Sequence, residues 1–124
     1  MSNAVLKYIS EALNSVGVDY EFGQWSSQPI PDPYFVGEYT ESEPITEDGL
    51  QETTFLLTGF SRSAWAVLES AKAKIEKLFS SNIRVLGSGS GVGIFYAGAM
   101  IVPTDDAELK RIQINLTVKE WKVN

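Results

Sequence analysis

Residues 111–119 alternate without interruption: Ile112, Ile114, Leu116 and Val118 fall on one side, and Arg111, Gln113, Asn115, Thr117 and Lys119 on the other. A period of two, with branched apolar residues on one side only, describes an extended strand with one buried face and one polar face. One side of this strand is therefore core and the other polar. After Lys119 the apolar parity switches and places Trp121 and Val123 on the polar side. That switch predicts a bulge, a twist or a contact beyond the subunit, and makes Trp121 a candidate interface residue.

Two segments show helical patterns. Val5, Leu6, Ile9, Leu13 and Val16 recur at helical spacing, with Gly17 where a left-handed C-terminal cap is favoured, which predicts a helix over 3–16. Ala64, Leu68, Ala71, Ile75 and Leu78 form a second stripe with Trp65 and Phe79 at its margins. Ser61 and Ser63 are its candidate N-caps, and the helix ends near residue 79. Lys72, Lys74 and Lys77 gather toward its C-terminal end, where they complement the exposed carbonyls.

The remaining segments read as strands. In residues 18–23, Val18, Tyr20 and Phe22 alternate with carboxylates; Pro29, Pro31 and Pro33 then hold an extended linker. Residues 34–41 and 50–60 form a long hairpin around an acidic tip that contains Asp48-Gly49, a turn signal. Residues 83–86 begin another strand, a glycine-rich bend follows, and 94–102 is apolar on both faces, as a central strand covered on two sides would be. The expectation is a single α+β domain over 1–124, with two helices and a mainly antiparallel sheet. Its order is α-β-β-β-α-β-β, with two or three strands after the second helix.

Charge divides the chain. From Tyr8 to Ser61 there are ten carboxylates and no lysine or arginine, whereas from Arg62 onward nine basic residues face six acidic ones. The hydrophobic share of 44% is ordinary for a globular protein, so this asymmetry is laid over a foldable sequence. A net charge of −6 opposes binding to the nucleic-acid backbone. No apolar run is long enough to suggest a membrane span or a secretory signal, so the chain is expected to be soluble and intracellular at synthesis.

Reactive chemistry finds few footholds. There is no histidine and no cysteine, which removes imidazole bases, thiolate nucleophiles and the common zinc ligand sets. Gly87-Ser88-Gly89-Ser90-Gly91 lacks the lysine and following helix of a phosphate loop, and reads as a hairpin connection. Asp105 with Glu108, or Glu47 with Asp48, are nominal carboxylate pairs for acid–base work, but both lie in turn-like polar sequence. No enzyme, metal or cofactor is expected.

The element order, the acidic hairpin running through residues 47–53, and the closing stretch 111–121 together resemble the tail-terminator, or tail-completion, proteins of long-tailed bacteriophages and prophages. The resemblance spans nearly the whole chain. It implies a non-enzymatic virion assembly protein: a homo-oligomeric ring, commonly of six, that caps the tail tube and joins it to the head. Its implied partners are the tail tube protein and a head-completion or connector protein. Its implied location is the host bacterial cytoplasm during assembly and the virion tail or neck afterwards. Glu41, Glu43, Glu47 and Asp48 are the candidates for a charged subunit contact or for the lumen, and Trp121 for a subunit seam. Another head-tail connector is one alternative. An acidic inhibitor or immunity-type protein that masks a basic nuclease or toxin is the other.

Overall fold

The computed structural model describes residues 1–41, 50–80, 82–86 and 89–121. Helix α1 (Asn3–Ser15) is followed by strands β1 (Tyr20–Phe22), β2 (Tyr34–Glu41) and β3 (Leu50–Ser61). Helix α2 (Trp65–Leu78) and strands β4 (Asn82–Val85), β5 (Gly91–Ile101) and β6 (Lys110–Trp121) complete the chain. The strands form one six-stranded sheet in the order β1-β2-β3-β6-β5-β4. All neighbours are antiparallel except β1 and β2. The expected α+β class holds, and α2 is followed by three strands, of which β4 is the first.

Register explains the core. Along the β3–β6 ladder Thr53 faces Val118, Phe55 faces Leu116, Leu57 faces Ile114 and Gly59 faces Ile112, and all are buried. Val5, Ile9 and Leu13 of α1 and Leu68, Ala71 and Ile75 of α2 belong to the same core. The other face carries Thr54, Leu56, Thr58 and Phe60 opposite Thr117, Asn115, Gln113 and Arg111, all part-buried or exposed. Helix α1 ends as its sequence predicts. Gly17 adopts a φ of 77°, its N–H donates to the Asn14 carbonyl, and the Val18 N–H donates to the Leu13 carbonyl, which together satisfy two of the helix's last carbonyls.

Three sequence expectations change. Strand β5 is not covered on both faces. Val92 and Ile94 are buried, but after the irregularity between Tyr96 and Gly98 the strand leaves the shelter of the helices, and Met100 and Ile101 are exposed. Strand β6 continues through residue 120 in unbroken register, so no bulge accompanies the parity switch. Instead Glu120 takes the core-facing position, almost fully buried, and accepts a hydrogen bond of 3.2 Å from the Ser2 N–H at the start of α1.

The start of α2 is the third. Its N-cap position is Ala64, with no side-chain cap. Ser61 and Ser63 are committed elsewhere. The Ser61 hydroxyl donates to Asp32 at 2.5 Å, the Arg62 N–H donates to the same carboxylate at 2.9 Å, and the Ser63 hydroxyl reaches it at 3.4 Å. Asp32 thereby ties the proline-rich linker to the β3–α2 junction. The Ser61 hydrogen bond, with the backbone N–H, stabilises the ionised form and holds the Asp32 carboxyl below the usual range despite some desolvation.

Close backbone packing sets one expected outcome. A Cβ at Gly59 would stand 2.3 Å from the fully buried ring of Phe35, which has no room to retreat, whereas one at Gly91 would meet the Trp121 ring at an ordinary 3.7 Å. Gly59→Ala therefore costs about 1–3 kcal/mol in chemical denaturation, and Gly91→Ala clearly less. A second outcome concerns pH. Asp32→Ala leaves the buried Ser61 hydroxyl and the Arg62 N–H short of their acceptor, a loss of about 1–2 kcal/mol at pH 7. A depressed folded-state pKa contributes stability above the unfolded value near 3.9, and that contribution disappears as pH falls through the lower folded value. The stability gap between wild type and Asp32→Ala should thus be constant from neutral pH down to about 4–5 and narrow below that; a gap that widens on acidification would contradict the assignment.

Candidate interaction surfaces

The strand order turns the charge partition along the sequence into one across the sheet. Strands β1, β2 and β3 come from the acidic half and occupy one side, while β6, β5 and β4 come from the basic half and occupy the other. On the basic side, Lys74 and Lys77 of α2 and Arg84 of β4 line a groove of about 570 Å³ whose apolar lining is Val16, Leu78 and Ile83. The ion pairs among the described residues join Met1 to Glu41, Lys7 to Glu11, Arg62 to Asp106 and Lys72 to Glu69. None of them engages Lys74, Lys77 or Arg84. The groove is thus positively charged and uncompensated within the described residues.

A second surface lies on the helix-free face at the same end of the basic half. Trp121 faces Gly91 in the ladder, and its ring lies within 4 Å of where side chains at Gly91 and Gly93 would begin. The glycines leave the flat bed on which the indole rests. Beside it Lys119 stands 6.0 Å from the centroid of the Phe95 ring, within the range of a cation–π contact. Ile83 and Val85 of the edge strand β4 face Gly93 and Gly91 in register and are 61% and 80% exposed. Trp121 keeps 37% of its surface in solvent.

The structure separates the sequence-derived candidates. Glu41 ends β2 opposite Thr53, on the helix-bearing face, and pairs with the Met1 amino group. Trp121 projects from the opposite face, so the two do not form one patch. Glu43, Glu47 and Asp48 lie outside the described residues, as does the Glu47–Asp48 carboxylate pair. Asp105 and Glu108 are both exposed. Asp106 between them organises the turn: it accepts the Glu108 N–H at 2.9 Å and an Arg62 guanidinium N–H at 2.8 Å, and the Arg62 contact holds its carboxyl below the usual range. Glu21 is likewise depressed, by the Ser26 hydroxyl and neighbouring N–H groups. Each of these shifts favours a permanently ionised structural carboxylate, the reverse of what a general acid needs.

Sequence reasoning missed the groove and the Glu120 contact. The cluster of lysines on α2 was a visible signal for the first, but Arg84 and Val16 join it only through the fold. Among the described residues, no helix is long and apolar enough to cross a membrane.

No protein-family model matches this chain, and no curated protein does. Solved structures do. A chain described as belonging to the virion of a native gene transfer agent particle superposes with a TM-score of 0.73 at 15% identity, covering 96% of this chain and 92% of that one. A second solved structure superposes with a TM-score of 0.71 at 14% identity, covering 98% of this chain and 93% of its own. Nearly the whole of this chain therefore shares its fold with a chain found in a virion particle.

Proposed function

We propose that this protein is a structural component of a phage-like virion and acts as a tail terminator, forming a ring that caps the tail tube and joins it to the head. The observation that carries this reading is the fold correspondence with the gene transfer agent virion chain, which extends over almost all of both chains. The distribution of charge supports it. A ring closed by rotation joins two different patches of each subunit, and the two sides of this sheet differ in sign.

Such a role is carried by shape and charge, without a reacting group. The partners are further copies of the chain, the tail tube protein and a head-completion or connector protein. Assembly takes place in the host bacterial cytoplasm, and the protein then stays in the tail or neck. The net charge of −6 suits a ring through which DNA passes, because it opposes adhesion to phosphate. The acidic inhibitor alternative rests on the same charge but gains nothing from the fold correspondence.

Deletion of the gene from a phage or prophage that encodes it should yield headless tails of irregular length by electron microscopy; tails of normal length joined to heads would reject the role. At residue level, Trp121→Ala removes a half-exposed ring from the helix-free face. The far-UV circular dichroism should stay unchanged, while the yield of joined particles falls about tenfold or more, the effect of losing an interface tryptophan. An unchanged yield would remove Trp121 from the subunit seam.

A further inference from the structure

Register divides the edge strand β4 between two environments. Asn82 faces Ile94 and Arg84 faces Val92, both buried, so Asn82 and Arg84 lie on the helix-bearing face. Ile83 and Val85 face Gly93 and Gly91 and lie on the helix-free face, beside the bed of Trp121. The groove of about 570 Å³ at the end of α2 is nevertheless lined by Asn82, Ile83 and Arg84 in succession, together with Lys74, Lys77 and Leu78. Consecutive strand residues, whose side chains alternate, line one cavity together through their backbone edge. The groove therefore follows the outer edge of β4, the last strand of the sheet.

The hydrogen-bonding groups of that edge are open. Leu86 and Ser90 continue the register of β4 and β5, and the Leu86 N–H donates to the Ser90 carbonyl at 2.8 Å. In an antiparallel ladder, pairs that exchange hydrogen bonds alternate with pairs that do not. Counted back from Leu86, Arg84 and Asn82 turn their backbone groups toward β5, while Ile83 and Val85 each turn an N–H and a carbonyl outward. No partner strand meets these groups among the described residues. Charge and brevity commonly blunt such an edge. Here the charge is one-sided. Arg84, Lys77 and Lys74 gather along the groove, none in an ion pair among the described residues, whereas Ile83 and Val85 are 61% and 80% exposed on the other face. An added strand with carboxylates on one face and apolar residues on the other matches both sides and the open backbone groups together.

We propose that the β4 edge is the docking site for an extended acidic segment of a partner protein, which joins the six-stranded sheet as a further strand. Its alternate carboxylates meet Arg84, Lys77 and Lys74. Its intervening apolar side chains pack on Ile83 and Val85, and its backbone bonds to the outward groups of the same two residues. A second copy of this chain offers no such strand among its described residues. Its other free edge, β1, has three residues, and the carboxylate there, Glu21, already accepts the Ser26 hydroxyl at 2.7 Å and the Ser27 N–H at 3.1 Å. The site needs only this fold and is independent of the ring role.

Hydrogen exchange and peptide binding on the full chain test it. In the free protein the Ile83 and Val85 amides should exchange much faster than that of Arg84. The probe is a synthetic eight-residue peptide that alternates glutamate with valine. At low salt it should slow exchange at Ile83 and Val85 about tenfold or more and leave Arg84 unchanged. Methylating the peptide's backbone nitrogens on one alternate set of residues should abolish binding, and on the other set leave it intact, since only one set faces β4. Lys74→Glu, Lys77→Glu and Arg84→Glu together should weaken binding about tenfold or more. A peptide alternating lysine with valine should then bind the reversed protein, which at the same time shows that it still folds. The site is overturned by absence of binding at about 1 mM peptide, or by equal binding of the same residues in scrambled order. Equal effects of the two methylation patterns, or unaltered exchange at Ile83 and Val85, overturn it as well. So does protection of both amides by self-association of the protein alone, which would assign the edge to a second copy.

Discussion

The antiparallel pairing of β3 with β6 is the constraint on which the rest of the molecule depends. It runs the full length of both strands, from Leu50 opposite Trp121 to Ser61 opposite Lys110. Because successive side chains alternate, this single register sends Phe55, Leu57, Ile114 and Leu116 toward the helices and Thr54, Thr58, Gln113 and Thr117 toward the helix-free face. A slip of one residue would exchange the two sets, bury a row of hydroxyls and amides, and expose the largest apolar groups of the core. At about 1.5–3 kcal/mol for each large apolar side chain buried, no plausible gain elsewhere offsets that exchange. The pairing also places Glu52 opposite Lys119, so residues of opposite charge share a register position on the helix-free face.

The same register delivers Glu120 to the core-facing side, where a carboxylate is costly unless it finds donors. The start of α1 supplies one. The Ser2 N–H donates to Glu120, while the Ser2 hydroxyl accepts the Val5 N–H and caps the helix. The positive end of the helix dipole faces the buried charge, and the end of β6 is fixed against the start of α1 across 118 residues of sequence. Glu41 performs a related task one layer over through its pair with the Met1 amino group. Both carboxylates serve packing, which is why neither forms a patch with Trp121.

What the sequence made legible was whatever repeats at a short period. The helical stripes, the alternation of β6, the hairpin strands and the glycine at the end of α1 all depend on neighbours within a few residues, and they appear where periodicity places them. Features set by distant partners were hidden. Ser61 and Ser63 look like helix caps until Asp32, some thirty residues earlier, competes for their hydroxyls. The apolar run of β5 looks doubly covered because hydrophobicity records which residues tolerate burial, and only the helices' positions decide which half is sheltered. Of the site, the charged segments were visible, but the groove required α1, α2 and β4 to converge.

One-sided coverage has a further consequence for where copies can meet. On the helix-free face several charges and rings are paired within the subunit: Lys119 lies over Phe95, and Tyr34 stacks on Phe60 at 5.0 Å and meets Trp25 in a tilted contact at 5.5 Å. Rings and charges already paired in this way gain little from a partner, since each new contact must first displace an internal one, whereas Trp121 on the same face keeps 37% of its surface in solvent. The two edges of the sheet differ. Strand β1 is three residues long and lies beside the proline-containing linker, which cannot donate at each of its prolines, so it offers a poor template for pairing. Strand β4 ends the opposite edge with exposed apolar side chains and uncompensated cations at its flank. An interface gains most where desolvation removes the least existing bonding and where opposite charge steers approach, and both conditions are met at the β4 edge.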